Sequence, residues 1–208
     1  NSNISFYHLL NMVHYYVAYH SEEGAFDLSI VVYENKQPVG VMPLMAHKHK
    51  QNGWILSSNG KNIVDPVFIN SLTTKTKKRL EKNLVDLVYD LANQLNIKQC
   101  QFVNIQYFKL SSWYLMWAER AKEAFSDHHL LVDLSPSLDN IFSKFRKSIR
   151  ERINQGLREF HVEAHEHVTS ELFERFRLLH KLVAGRVTRP IESWNKQKQQ
   201  IDEKESFI

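Results

Sequence analysis

Between Ser71 and Asn96, Leu80, Leu84, Leu87, Val88, Leu91 and Leu95 recur every three or four residues, the spacing that lines one face of an α-helix. A helix this long, with a single apolar stripe among Lys, Glu and Asp, gains its stability by laying that stripe on another layer. This segment is the strongest constraint on the fold, and its neighbours supply the other layer. Ala25–Glu34 and Val39–His47 are rich in β-branched and aromatic residues and are joined by the turn sequence Asn35-Lys36-Gln37-Pro38, which predicts a hairpin. Trp54–Ser58 and Ile63–Ile69 are further short extended pieces flanking Asn59-Gly60, with Pro66 marking the second as irregular or as an edge. A helix over Ser5–His20, a strand over Gln99–Tyr107, a helix over Ser111–Ala124 and an extended piece at Leu130–Leu134 complete this part. The expected fold class is α+β (mixed α/β), one sheet with helices packed on it.

Composition narrows the class further. With 43% hydrophobic and 24% charged residues the 208-residue chain has enough apolar side chains for a core, which excludes disordered, collagenous and low-complexity proteins. No run approaches the ~18 apolar residues of a membrane-spanning helix. A single cysteine, Cys100, allows neither an internal disulfide nor a cysteine-based zinc site, and fits a reducing cytoplasm. The chain begins at Asn1 without signal-peptide character, and Ser206-Phe207-Ile208 turns apolar as if a strand were starting. It reads as a fragment of a longer protein.

Past Ser135 a second region opens. Ser135 and Pro136 form a plausible N-cap and first position of a helix over 136–157, with Leu138, Ile141, Phe142, Phe145, Ile149 and Ile153 on one stripe and Gly156 as its stop. Phe160–Ala164 reads as a strand, Thr169 or Ser170 as the cap of a helix reaching Gly185, and Pro190 as the start of a final helix. The net charge of +4 is uneven, since residues 1–70 carry four basic and five acidic groups and the remainder 23 and 18. The excess gathers in Lys75–Arg79 and in Lys144–Arg158, where Lys144, Arg146, Lys147 and Arg150 face away from the stripe. Such a face is either a cradle for phosphate or carboxylate groups or a solvated surface. Thr73–Arg79 sets cations at a helix N-terminus, a conflict that a docked anion would relieve.

The eleven histidines cluster at His47-Lys48-His49, His128-His129 and His161, His165, His167, without metal-ligand spacing, so no metal is expected. Nucleophile-elbow, Walker A, dinucleotide and nucleic-acid motifs are missing too.

The run Leu130-Leu-Val-Asp-Leu-Ser135, then Ile141–Gly156 (IFSKFRKSIRERINQG), then Phe160-His-Val-Glu163 resembles the opening of the acetyltransferase-like domain of the FemAB group in the GNAT superfamily. Leu179–Gln197 (LHKLVAGRVTRPIESWNKQ) looks like the segment that follows in bacterial members associated with surface-polysaccharide or cell-wall modification. The resemblance implies two GNAT-like domains in tandem, the first over residues 1–130 and the second beginning at 131 and incomplete at 208. It also implies transfer of an acyl or aminoacyl group from acyl-CoA or aminoacyl-tRNA to an amine or hydroxyl of a cell-envelope glycan precursor. Nucleotide-linked or lipid-linked sugars, and tRNA, are polyanions that would suit Lys144, Arg146, Lys147 and Arg150. Arg186, Arg189 and Trp194 lie in the family-like segment and would line an acceptor site, unless Trp194 packs in the core and the arginines pair with Glu192 or water. Thr73–Arg79 departs from the family pattern by lacking the glycines of a pyrophosphate loop, so Cβ atoms would obstruct a phosphate there. Asp65, Asp133 and the histidines are available proton acceptors, none assigned as catalytic. The competing expectation is a non-enzymatic anion- or RNA-binding module using the basic helix 136–157.

Overall fold

The computed structural model describes residues 5–51, 53–104, 109–125, 132–161, 163, 165 and 167–203. Helix α1 (Leu10–Tyr19) follows a 3-10 turn at Phe6–His8 and is itself followed by a second at Ser21–Glu23. Strands β1 (Phe26–Asp27), β2 (Ile30–Glu34), β3 (Gln37–Met42), β4 (Met45–His49), β5 (Gly53–Ser57) and β6 (Val67–Phe68) come next. Helices α2 (Thr74–Gln94), α3 (Ser112–Ala118), α4 (Leu138–Lys144), α5 (Lys147–Glu159), α6 (Ser170–Ala184) and α7 (Ile191–Asp202) complete the mixed α+β fold.

The strands form two antiparallel sheets, in the orders β1-β4-β5 and β2-β3-β6, where the sequence suggested one. Both arms of the hairpin break at the same level. Pro43 has no N–H to offer the ladder, and opposite it the Ser29 hydroxyl both donates to the Leu44 carbonyl and accepts from the Leu44 N–H, at 3.3 and 3.2 Å. The Ser29 side chain thus stands in for part of the ladder, alongside the Leu28 N–H, which still donates to the Leu44 carbonyl at 2.9 Å, and the strands on either side of this level belong to different sheets. At its tip Asn35 and Lys36 both have positive φ, 49° and 65°, the backbone of the two-residue turn whose twist matches antiparallel strands.

Helix α2 begins at Thr73, whose hydroxyl accepts from the Thr76 N–H at 3.2 Å. Its stripe buries Leu80, Leu84, Val85 and Val88 against Val32, Val39, Met42, Leu44, Leu56 and Ile63 from both sheets and against Trp113 and Trp117 of α3. Each such side chain contributes roughly 1.5–3 kcal/mol by leaving water. Leu87 lies off this face and is exposed. Glu81 is the one acid on the buried side, and the Ser112 hydroxyl donates to its carboxylate at 2.6 Å, with Lys77 at 3.7 Å. Phe102 stacks on Trp117 with centroids 4.0 Å apart. The expected strand at 99–107 is reduced to one parallel bridge, Ile63 to Phe102, and residues 105–107 lie outside the described residues.

The second region differs most from expectation. The helix over 136–157 is two helices, because Phe145 and Arg146 are extended, with ψ of 147° and 148°. Its cap is Ser137, not Ser135, and Gly156 lies within α5, which runs on to Glu159. The stripe that required one straight helix is therefore split, and no residue of α4 or α5 is buried. Residues 132–134 form no strand, nor do the described residues of 160–164; residues 126–131, 162 and 164, and with them His128-His129, lie outside the described residues, as does 204–208. The expected division at residue 130 falls in that stretch too. Helix α6 has the predicted Thr169 cap and Gly185, at φ 67°, as its left-handed terminator. Only Phe173 of its apolar residues is buried, while Leu179 and Val183 are exposed. Helix α7 lies on α1, where the Gln200 side-chain amide donates to the Asn11 carbonyl at 3.1 Å. Val168, Phe173, Trp194 and Ile201 form a second, smaller core there.

Gly40 is where β6 closes on β3. A Cβ on Gly40 would sit 2.5 Å from the Phe68 ring and 2.8 Å from the Val67 carbonyl oxygen. Gly40→Ala is expected to cost about 1–3 kcal/mol through overpacking, measured as a lower urea midpoint with an unchanged slope. A wild-type midpoint would show that the sheet accommodates the methyl group.

Candidate functional site

Helix α6 stops at Gly185, and the chain turns through Arg186–Arg189 before Pro190 starts α7. The Ser193 hydroxyl donates back to the Pro190 carbonyl at 2.7 Å and fixes the turn. One helical turn into α7, Trp194 packs edge-on against Phe173, Phe176 and His180. Its face carries the Arg189 guanidinium, with Cζ 3.4 Å from the ring centroid, a cation–π contact. Arg189 also donates from Nη1 to the Tyr15 hydroxyl at 2.5 Å and from Nη2 to the Gln197 side-chain oxygen. The side chain thus joins α1, the α6–α7 turn and α7.

Beside this strut is a cavity of about 160 Å³ lined by Arg177, His180, Lys181, Arg186, Arg189 and Trp194, with Glu22 as its acid. Arg177 is oriented by Glu174 at 2.8 Å. Binding pockets for whole small molecules run to roughly 300–1,000 Å³, so this one accommodates a single phosphate- or carboxylate-sized group. Four cations around one such volume suit an oxyanion. Trp194 therefore packs in a core, as one reading of the sequence had it, and also forms the cavity wall; the partners of Arg189 are Tyr15 and Gln197 rather than Glu192.

The other four basic candidates are elsewhere. Lys144 ends α4, Arg146 is the N-cap of α5 with no side-chain capping bond, and Lys147 and Arg150 follow in its first turn. Lys144, Arg146 and Lys147 are exposed and Arg150 is half-buried. Lys147 approaches Glu151 at 3.8 Å, and none of the four lines the cavity. At the start of α2, Arg79 pairs with Glu34 at 2.7 Å and Lys77 with Glu81, so two of the four cations of Thr73–Arg79 have protein partners.

A larger cavity, about 740 Å³, lies between β5 (Trp54, Ile55), the Gly60-Lys61 loop and the Leu95–Gln101 segment. Its walls come from three separate stretches of chain, which is why no local motif announced it.

The structure also assembles a group that spacing did not reveal. Glu23 Oε2 receives hydrogen bonds from Nδ1 of His20 at 2.7 Å and Nδ1 of His47 at 2.8 Å. His20 and Glu23 meet across the 3-10 turn at Ser21–Glu23, while His47 reaches in from β4. Burial opposes the Glu23 charge, but the bonds from His20 and His47 outweigh it and hold the carboxyl below its ordinary range. Burial, aided by the neighbouring His20, lowers the pKa of His47, against the pull of Glu23. Burial also lowers His8, whose Nε2 meets the Asp65 carbonyl at 2.8 Å. Of the other proton acceptors, Asp65 is buried and Asp133 closes a turn, receiving the N–H and hydroxyl of Ser135 at 3.0 and 2.7 Å.

No protein-family model matches the chain, and no curated protein matches it. Among solved structures, the crystal structure of FemX superimposes with a TM-score of 0.51 at 14% identity, over 94% of this chain and 49% of that one. The chain has a FemX-like fold and spans about half the length of that protein. Among the described residues no helix is long and apolar enough to cross a membrane.

The two depressed histidines set a pH dependence. Their ordinary pKa is 6.5, and below it the unfolded chain takes up protons that the folded chain excludes, so stability falls as the pH drops toward their folded-state values. Glu23 adds a loss in the same direction at lower pH, as it is protonated below its ordinary 4.5. Urea midpoints are expected to be lower at pH 5.5 than at 7.5, and a flat profile would remove the buried histidines from the balance.

Proposed function

We propose that this chain carries part of a FemAB-like acyltransferase built from GNAT-type units, with residues 1–130 as the first unit and 131–208 as the start of the second. It moves an acyl or aminoacyl group from acyl-CoA or aminoacyl-tRNA to an amine or hydroxyl of a nucleotide- or lipid-linked glycan precursor of the cell envelope, in the cytoplasm. The observation that carries this reading is the arginine-lined cavity held open by the Arg189–Trp194 stack. The FemX-like fold supports it.

Both kinds of donor and both kinds of acceptor are anionic, so the first requirement is a fixed oxyanion contact. Arg189 is immobilised by stacking and by two hydrogen bonds, yet a guanidinium has five N–H groups, and those left over can bind phosphate without an ordering cost. Arg186, exposed at the mouth, adds charge without a structural role. The attacking nucleophile belongs to the substrate and must lose a proton as a tetrahedral oxyanion forms. The basic break at Lys144, Arg146, Lys147 and Arg150 gives a second anion contact at the positive end of α5. The same four residues would serve RNA in a module that binds without turnover, the alternative that an activity assay separates.

Calorimetric titration with a UDP-linked amino sugar, an acyl-CoA and an aminoacyl-tRNA analogue tests the cavity. Arg186→Ala is expected to weaken the ligand that binds by about tenfold or more, roughly 1.4 kcal/mol, with an unchanged melting temperature. Arg189→Ala is expected to lose affinity and also lower the melting temperature by several degrees, because it removes the strut between α1 and α7. Unchanged affinity in Arg186→Ala takes the cavity out of the site. Arg146→Ala with Arg150→Ala should weaken the same polyanion at constant melting temperature, and no change would leave that break as solvated surface.

A further inference from the structure

We propose that His20, Glu23 and His47 form a binding site for a divalent transition-metal ion of the zinc class. The ligand atoms are Nδ1 of His20, Nδ1 of His47 and a carboxylate oxygen of Glu23, and they lie within 4.8 Å of one another. Two imidazoles and one carboxylate are a donor set that zinc accepts, with water in the fourth position, whereas magnesium and calcium prefer all-oxygen sites. His47 is 2% exposed and His20 15%, while Glu23, at 35%, leaves one side open for that water.

Three features favour a metal over a plain hydrogen-bonded cluster. Both imidazoles converge on a single carboxylate oxygen, with ring centroids 4.2 Å apart and planes inclined by 31°, so both Nδ1 atoms face the same point. Zinc bonds of about 2.0–2.2 Å place tetrahedral ligands a little over 3 Å apart, so the present 2.7 and 2.8 Å contacts need only small side-chain rotations. Lastly, the bonds to Glu23 call for the Nδ1–H tautomer of His47, which leaves its buried Nε2 without a proton to donate to the Gly60 backbone beside it. A metal on Nδ1 moves that proton to Nε2 and gives the atom a donor, as metal-bound histidines ordinarily have. Each imidazole exchanges an N–H···O bond for a metal bond and stays neutral, so no proton is lost overall. The backbone of Gly60, which lines the large cavity, is packed against His20; a Cβ on Gly60 would sit 2.1 Å from its Nε2. The ion would therefore pin α1, the 3-10 turn and β4 together behind that cavity.

His161, Glu163 and His165 are an internal control, since they too are paired, at 2.7 and 3.1 Å, but with His161 and Glu163 exposed and His165 half-buried. Zinc titrated into the chelator-treated full chain is expected to bind at one equivalent, raise the melting temperature and, as cobalt(II), give the visible bands of a four-coordinate nitrogen and oxygen site. Glu23→Gln should weaken zinc by about 100-fold or more, while His161→Ala with His165→Ala leaves it unchanged. Long-range ¹H–¹⁵N spectra of the wild-type chain should show two imidazoles switching from Nδ1–H to Nε2–H on adding zinc, a readout that needs no variant to fold. Absence of saturable binding, loss of binding in the His161/His165 variant, full affinity in Glu23→Gln, or unchanged tautomers would each overturn the site.

Discussion

The apolar face of α2 is the surface on which both small sheets are assembled. Each sheet has three strands of only two to six residues, and sheets this small gain stability by packing on a helix; here the two share one helix and the Trp113–Trp117 pair of α3 as a common floor. The sheets divide where Pro43 and Ser29 meet, and a shared core lets the hairpin break without either half losing its backing. Glu81 belongs to the same arrangement, because a carboxylate on the buried side of α2 is tolerable only with Ser112 and Lys77 beside it.

A second, smaller core depends on a different contact. Arg189 lies flat on Trp194 and is bonded to Tyr15 and Gln197, so one side chain links the first helix to the last while keeping its charge beside a cavity. The coupling gives the proposed site its rigidity, since the group that would meet the anion is held by packing before any ligand arrives. Arg186, a few residues away, has charge and exposure without that support. The His20–Glu23–His47 group plays a comparable joining role at the other end of α1, between the helix and β4.

Local patterns were read correctly where a single element satisfies its own chemistry. The 3.6-residue period of α2, the Thr169 cap and Gly185 terminator of α6, and the Asn35-Lys36 reversal all depend on residues within a few positions of one another. The helix expected over 136–157 failed for the same reason in reverse: its periodicity was regular, but a period does not say whether the stripe has anything to lie on, and the extended Phe145-Arg146 pair leaves α4 and α5 with no buried residue. Arg186, Arg189 and Trp194 could be singled out from sequence, but nothing local to them points to Tyr15, 174 positions away, as the residue that holds Arg189 in place.

What the linear chain determined was the inventory: helix and strand segments, an α+β class, a surplus of cations in its later part, and a resemblance that the FemX-like fold makes more concrete. What tertiary structure alone decided was which of those cations share a volume, how one hairpin serves two sheets, and that His47 meets a carboxylate 24 positions earlier. The physical reason is range. Helical periods, caps and turns are short-range properties written in neighbouring residues, whereas a cavity or a three-ligand cluster exists only when packing brings distant side chains within a few ångströms.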